Sequence, residues 1–211
     1  MKTNKLVALI ILDGWGIAPP NDGNAIALAK IPYFDQLISR YPTRTLLASG
    51  EAVGLSWGEM GNSEVGHMNL GAGRIVFTGL SQVYQAIDDK SFFANPALLS
   101  AISTAKKNNR ALHLMGLLSD GAVHSHQDHL YALLELAKQS GLQKVFVHCF
   151  MDGRDTPPSD GILYLEALEK KMAEIGVGKI ASVSGRFYAM DRDKRWDRVQ
   201  QACDVLVGKT P

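Results

Sequence analysis

Residues 111–150 read ALHLMGLLSDGAVHSHQDHLYALLELAKQSGLQKVFVHCF, and this stretch decides the fold. Residues 111–118 and 144–150 are near-continuous apolar runs, the pattern of strands buried on both faces. Between them Leu130, Leu133, Leu134 and Ala137 share one face of a helix. The pattern recurs downstream. A helix carrying Leu165, Leu168, Met172 and Ile175 on one stripe leads to a third strand at 180–183, and a last helix presents Trp196, Val199, Cys203 and Leu206. Strands alternating with helices predict βαβ units and a parallel sheet, hence an α/β protein. Right-handed crossovers then put all three strand-to-helix loops on one edge of the sheet, where ligands of α/β proteins bind. Those loops carry His124, His126, Asp152, Arg154, Asp155, Arg186, Asp191 and Arg192; the connections on the opposite edge, 139–144 and 176–179, hold no such cluster.

Upstream of residue 78 the pattern is different. Lys2 and Lys5 precede an apolar run at 6–12 (LVALIIL) that stops at Asp13 and lacks a cleavage pattern, so it reads as a buried strand and not as a signal peptide. A helix is predicted from Pro32, with Phe34, Leu37, Ile38 and Tyr41 at helical spacing and Pro42 ending it. Residues 50–74 are rich in glycine, which lets backbone approach a ligand closely and marks a candidate site.

The 211 residues are 46% hydrophobic and 20% charged, which argues against disorder. The longest apolar runs fall well short of the roughly 20 residues that cross a bilayer. Lys and Arg number 22 against 21 Asp and Glu, a net charge of +1 with no long basic stripe. Binding held mainly by nucleic-acid phosphates or acidic lipid is therefore not expected. Two cysteines make no disulfide framework, and Cys149 within its apolar run reads as a small buried hydrophobe, which suits a cytoplasmic location.

Three arginines on converging loops, Arg154, Arg186 and Arg192, point to an anionic ligand, because guanidinium forks match phosphate and carboxylate oxygens. The competing reading pairs them with Asp152, Asp155 and Asp191 as ion pairs. Ser63 stands where a helix begins, and free N–H groups aimed at its hydroxyl would suit a nucleophile attacking phosphorus; the competing reading is a plain N-cap. Asp13, at the end of an apolar run, is either a metal ligand or a loop carboxylate capping N–H groups. His124, His126, Asp128 and His129 spell HxHxDH, a pattern that could ligate zinc in a hydrolase, although it opens a helix of the βαβ series. His67, His113 and His148 read as packed or peripheral.

Five motifs together resemble cofactor-independent (2,3-bisphosphoglycerate-independent) phosphoglycerate mutases: LDGWG at 12–16, GEMGNSEVGHMNLGAGR at 58–74, SDGAVHSH at 119–126, DGRDTPP at 152–158 and SGRFYAMDRD at 184–193. They span the chain in the family's order. The resemblance implies an alkaline-phosphatase-like domain with an inserted α/β transferase domain. Residues 1–77 correspond to the N-terminal segment of the metal-binding phosphatase domain, and 78–211 to the first part of the transferase domain. It implies interconversion of 3-phosphoglycerate and 2-phosphoglycerate through a phosphoserine, with two divalent ions, usually Mn2+, and no requirement for 2,3-bisphosphoglycerate.

By motif position Ser63 is the nucleophile, Asp13 and Ser63 are metal ligands, and His124, Arg154, Asp155, Arg186 and Arg192 bind substrate. Asp155 also handles the proton of the glycerate hydroxyl. The expected partner is the small substrate alone, with no nucleic acid and no membrane, in a cytoplasmic enzyme that is a monomer when complete. Family members are more than twice as long, so this chain is expected to be an incomplete fragment that binds manganese weakly and does not turn over substrate. The other classes to weigh are a non-catalytic module that binds a phospho-acid or partner through its arginine loops, and the zinc hydrolase.

Overall fold

The computed structural model describes residues 6–56 and 58–209, so Lys2 and Lys5 lie outside the described residues. The elements are α1 (Ala25–Leu28), α2 (Pro32–Arg40), α3 (Ser63–Ala72), α4 (Gly79–Asp88), α5 (Pro96–Lys107), β1 (Leu112–Leu118), α6 (Gln127–Gln139), β2 (Val145–Met151), α7 (Gly161–Ile175), β3 (Lys179–Gly185), α8 (Arg186–Ala189) and α9 (Trp196–Leu206), with short 3-10 turns at Gly50–Val53 and Ser91–Ala94. They form two units, Met1–Thr78 and Gly79–Pro211.

In the second unit the three apolar runs become a parallel sheet of order β1-β2-β3. Leu112 pairs with Val145 and Leu118 with Met151; the β2–β3 register shifts once, between Val147 and His148. Val145, Val147 and Cys149 of β2 are buried together with Leu114 and Leu118 of β1, Leu134, Leu136 and Ala137 of α6, and Leu168 and Met172 of α7. Burial of this stripe is the main stabilising term, at about 25 cal/mol per Å2 of apolar surface removed from water. Cys149 is the expected buried hydrophobe, and burial pushes its thiol up to about 11. The last helix forms where predicted, but its packed side differs. Ala202 is buried and Val199, Val205 and Leu206 are half-buried, while Trp196 and Cys203 stand exposed, so the stripe is turned from the one the periodicity suggests.

The first unit corrects the sequence reading most. Residues 6–12 form no strand and their side chains are exposed, Leu6 to 96%. A strand exists only through a neighbour that takes its backbone N–H and C=O groups, and among the described residues none pairs with this run. α2 forms as predicted and ends at Arg40, yet Leu37 and Ile38 on its apolar side remain exposed. Local propensity and the proline at its start set this helix, not burial. Within the glycine-rich stretch a β-carbon on Gly61 would run into the carbonyl oxygen of Ala48. Here glycine lets one part of the backbone lie against another.

Candidate functional site

In the first unit the chain turns after residue 12 and Trp15 N–H closes the turn on the Leu12 carbonyl at 3.1 Å. This leaves Asp13 free to meet Ser63, fifty positions later, whose Oγ donates to Asp13 Oδ2 at 2.6 Å. Ser63 is the first residue of α3 and not its cap. Asn62 takes that role, its side-chain oxygen accepting from Val65 N–H at 3.0 Å. The serine hydroxyl thus stands at the positive end of a helix dipole, where negative charge is stabilised.

His67, passed over as peripheral, sits one turn further on. Its Nδ1 is 2.9 Å from the Ser63 carbonyl oxygen and 3.2 Å from Ser63 Oγ. A carbonyl only accepts, so Nδ1 carries the proton and shares it with the hydroxyl oxygen. The i, i+4 spacing from Ser63 was the available signal. Asn69 was missed as well: it donates to the Val53 carbonyl and accepts from Val76 N–H, both at 2.8 Å, and so ties α3 to the loops beside it.

In the second unit, the loops at the carboxyl ends of β2 and β3 surround a cavity of about 630 Å3. His124, Arg154, Arg186 and Arg192 line it, together with Asp152, Tyr164, Asp191 and Arg198. Asp155 is not among the lining residues; its Oδ2 accepts from Arg186 Nη1 at 2.6 Å. The three arginines divide between the two readings of them. Arg186 is an ion-pair partner, bonded to Asp152 at 2.7 Å and to Asp155, and these carboxylates raise its pKa above the ordinary value. Arg154 and Arg192 have no ion-pair partner among the described residues.

Asp191 instead pairs with Arg198 at 3.3 Å and accepts from the N–H groups of Asp193 and Arg195, which shapes the turn that carries Arg192. Arg198 lies 3.8 Å over the Phe187 ring. Burial alone would raise the pKa of Asp152. The Asp155 N–H, the Ser119 hydroxyl, Arg186 and the Arg154 N–H outweigh it and hold the carboxyl at about 2. Asp152 was visible in the sequence as the first residue past β2, but nothing there told that it would gather so many donors.

The histidine cluster does not assemble as a zinc site. His126 caps α6, its Nδ1 accepting from Asp128 N–H at 3.2 Å, and His129 packs edge-on against Tyr84 at 4.5 Å, where burial lowers its pKa. Among the described residues no three His, Cys, Asp or Glu side chains stand together as a metal-ligand group. His148 is buried, as expected of a packed residue, and hydrogen-bonded between His113 and Ser182. No helix of the described residues is long and apolar enough to cross a membrane.

Fold and side chains together define an α/β protein with an arginine-lined cavity at the carboxyl edge of a parallel sheet and a serine–aspartate pair at a helix start. The family model described as BPG-independent PGAM N-terminus matches residues 83–211, and the chain belongs to that family, the N-terminal part of 2,3-bisphosphoglycerate-independent phosphoglycerate mutases. It is 60% identical to the protein of that name from Clostridium beijerinckii and 54% identical to that from Moorella thermoacetica, each match covering 97% of this chain and 40% of the relative. The chain thus spans about 40% of the length of these curated relatives. A crystal structure of Leishmania mexicana phosphoglycerate mutase at low cobalt concentration superposes with a TM-score of 0.64 at 37% identity, over 92% of this chain and 37% of that one.

Proposed function

We propose that this chain is the N-terminal part of an enzyme that interconverts 3-phosphoglycerate and 2-phosphoglycerate without 2,3-bisphosphoglycerate, with Ser63 as the residue that carries the phosphoryl group. In this reading residues 1–77 are a segment of an alkaline-phosphatase-like, metal-binding domain. Residues 78–211 open the transferase domain that grips the substrate. The enzyme works as a monomer in the cytoplasm. The carrying observation is the 2.6 Å bond from Ser63 Oγ to Asp13, made at the first residue of a helix.

Ser63 and Asp13 offer two hard oxygen donors side by side, the chemistry that suits Mn2+ and its neighbours, so these two residues would hold one of the divalent ions. The other ligands would come from beyond the 40% of the relatives that this chain spans. When bound, such ions lower the pKa of a coordinated hydroxyl and neutralise phosphate charge.

The remaining work falls to side chains of this chain. Ser63 Oγ gives up its proton to Asp13, to which it is already bonded, and attacks phosphorus; the bond to the 3-oxygen of glycerate breaks, and that oxygen takes a proton that Asp155 carries. Arg154, Arg186 and Arg192 keep the glycerate from leaving while it reorients. Asp155, now a carboxylate, takes the proton of the 2-hydroxyl as that oxygen attacks the phosphoserine; the bond from phosphorus to Ser63 Oγ breaks, and the serine takes its proton back from Asp13. His67 donates to Ser63 Oγ and so favours the oxygen as its negative charge develops.

A chimera tests this: residues 1–211 replace the matching part of the 60%-identical relative, and mutase turnover is measured. Turnover is expected, with a phosphoserine trapped at Ser63, and Ser63→Ala is expected to lower the rate by more than about a thousandfold. Near wild-type turnover by the Ser63→Ala chimera would refute the assignment. Binding of 3-phosphoglycerate with no transfer would favour the non-catalytic module.

A further inference from the structure

We propose, on the strength of the reading that makes Asp155 the proton-handling group, that Asp152 is its positioning residue: it divides Arg186 between two carboxylates, so that Asp155 is held through one oxygen and the other is left without a protein donor among the described residues. Asp152 directly follows β2 and its side chain is only 2% exposed. Its Oδ1 accepts from Arg154 N–H at 3.1 Å, from Asp155 N–H at 3.0 Å and from Arg186 Nη1 at 2.7 Å, while Oδ2 accepts from Ser119 Oγ at 2.7 Å. One carboxylate therefore binds groups that follow each of the three strands. The loop after β1 closes over it: a β-carbon on Gly121 would lie 3.0 Å from Asp155 Cβ and 3.4 Å from Asp152 Oδ2.

Hydrogen counting at Arg186 gives the consequence. Nη1 has two hydrogens, and Asp152 and Asp155 each take one. Arg186 meets Asp155 through Nη1 alone, and so does not make with it the parallel two-point geometry that a lone guanidinium–carboxylate pair prefers. Asp155 is held through Oδ2 alone, and its Oδ1 has no donor among the described residues. Nη2 and Nε of Arg186 likewise have no protein acceptor among the described residues and remain for ligand oxygens. Without the charge of Asp152 the guanidinium would be free to turn fully onto Asp155, and both the base and the cation would be withdrawn from substrate.

The other charged or titratable groups around this pair are Arg154 on its own loop, Asp120 and His124 after β1, Tyr164 of α7, and Asp191, Arg192, Asp193 and Arg198 past β3. None of them is bonded to the Asp155 carboxylate.

The test is a pH titration of carboxyl resonances in the 13C-aspartate-labelled 211-residue chain. In Asp152→Asn, Asp155 gains the whole guanidinium and loses a like-charged neighbour, so its midpoint is expected to fall by about one pH unit. Ser119→Ala, which removes one bond but keeps the charge, should leave that midpoint in place. An unmoved or higher midpoint in Asp152→Asn overturns the proposal, as does a fall of equal size in Ser119→Ala.

Should Asp152→Asn fail to fold, Arg186→Gln carries the test. Two carboxylates left without their shared cation must raise the Asp155 midpoint by about one unit, and an unmoved or lower value refutes the sharing. Calorimetry with 3-phosphoglycerate on the same wild-type chain keeps the two questions apart. Absent binding counts against the functional reading and leaves the titration result standing.

Discussion

Lowering the pH through the acid range measures how much the buried Asp152 carboxylate contributes to the second unit. Folding holds that carboxyl at about 2, against an ordinary 3.8. A carboxylate depressed on folding contributes stability that is fully present above its unfolded value, near pH 4, and is lost as the pH falls through its folded value near 2. At about 1.4 kcal/mol per pH unit, a shift of this size is worth about 2 kcal/mol. The side chain is almost wholly enclosed and its partners are backbone N–H groups, a hydroxyl and a guanidinium, so solvent screening reduces this little.

Asp152→Asn has no charge to gain or lose. Its stability deficit against wild type is therefore expected to shrink by about 2 kcal/mol between about pH 5 and pH 2. Other carboxylates titrate in both proteins and largely cancel. Urea unfolding followed at the methyl resonances of Leu134 and Leu168, both fully buried in the core, reports this unit alone. A deficit of the same size at both ends of the range would show that the folded carboxyl is not held ionised, and the reasoning would fail.

Other outcomes follow from the same geometry. Arg192→Lys keeps the charge but loses the fork, and calorimetry should show 3-phosphoglycerate affinity reduced by about tenfold; an unchanged affinity removes Arg192 from the site. Leu134→Ala should cost about 2–5 kcal/mol in urea unfolding because Leu134 is completely buried, whereas Leu37→Ala on the exposed side of α2 should cost well under about 1 kcal/mol. The 211-residue chain alone should bind Mn2+ weakly by calorimetry and show no turnover of 3-phosphoglycerate in an enolase-coupled assay, since among the described residues no three His, Cys, Asp or Glu side chains stand together beside Asp13 and Ser63.

How far the sequence could be read differs between the two units, and the difference is physical. In the second unit each apolar run lies between turn residues and alternates with a helical stripe, so local pattern and long-range packing agree. The strands fell within a residue or two of their predicted bounds, and the loops carrying His124, Arg154, Arg186 and Arg192 came out at one edge because a parallel sheet with right-handed crossovers leaves no alternative. The apolar run at 6–12 is at least as apolar as β2 but has no pairing partner among the described residues, and composition alone cannot create one. In α9 the helix was legible while the side it buries was not, because Trp196 and Cys203 are apolar enough to imitate a core stripe.

The amino-acid order by itself determined the α/β alternation, the edge on which the chemistry gathers and the residue types gathered there, since each depends on periodicity or on handedness shared by all L-peptides. Only the tertiary structure decided which arginines are spoken for. That Arg186 is divided between Asp152 and Asp155 while Arg154 and Arg192 stand without ion-pair partners among the described residues depends on ångström distances between loops that follow different strands. The bond from Asp13 to Ser63 and the placing of His67 against the same hydroxyl also needed the folded chain. Hydrogen bonds form only within about 3.5 Å, and residues fifty positions apart reach that range by packing, which no local pattern records.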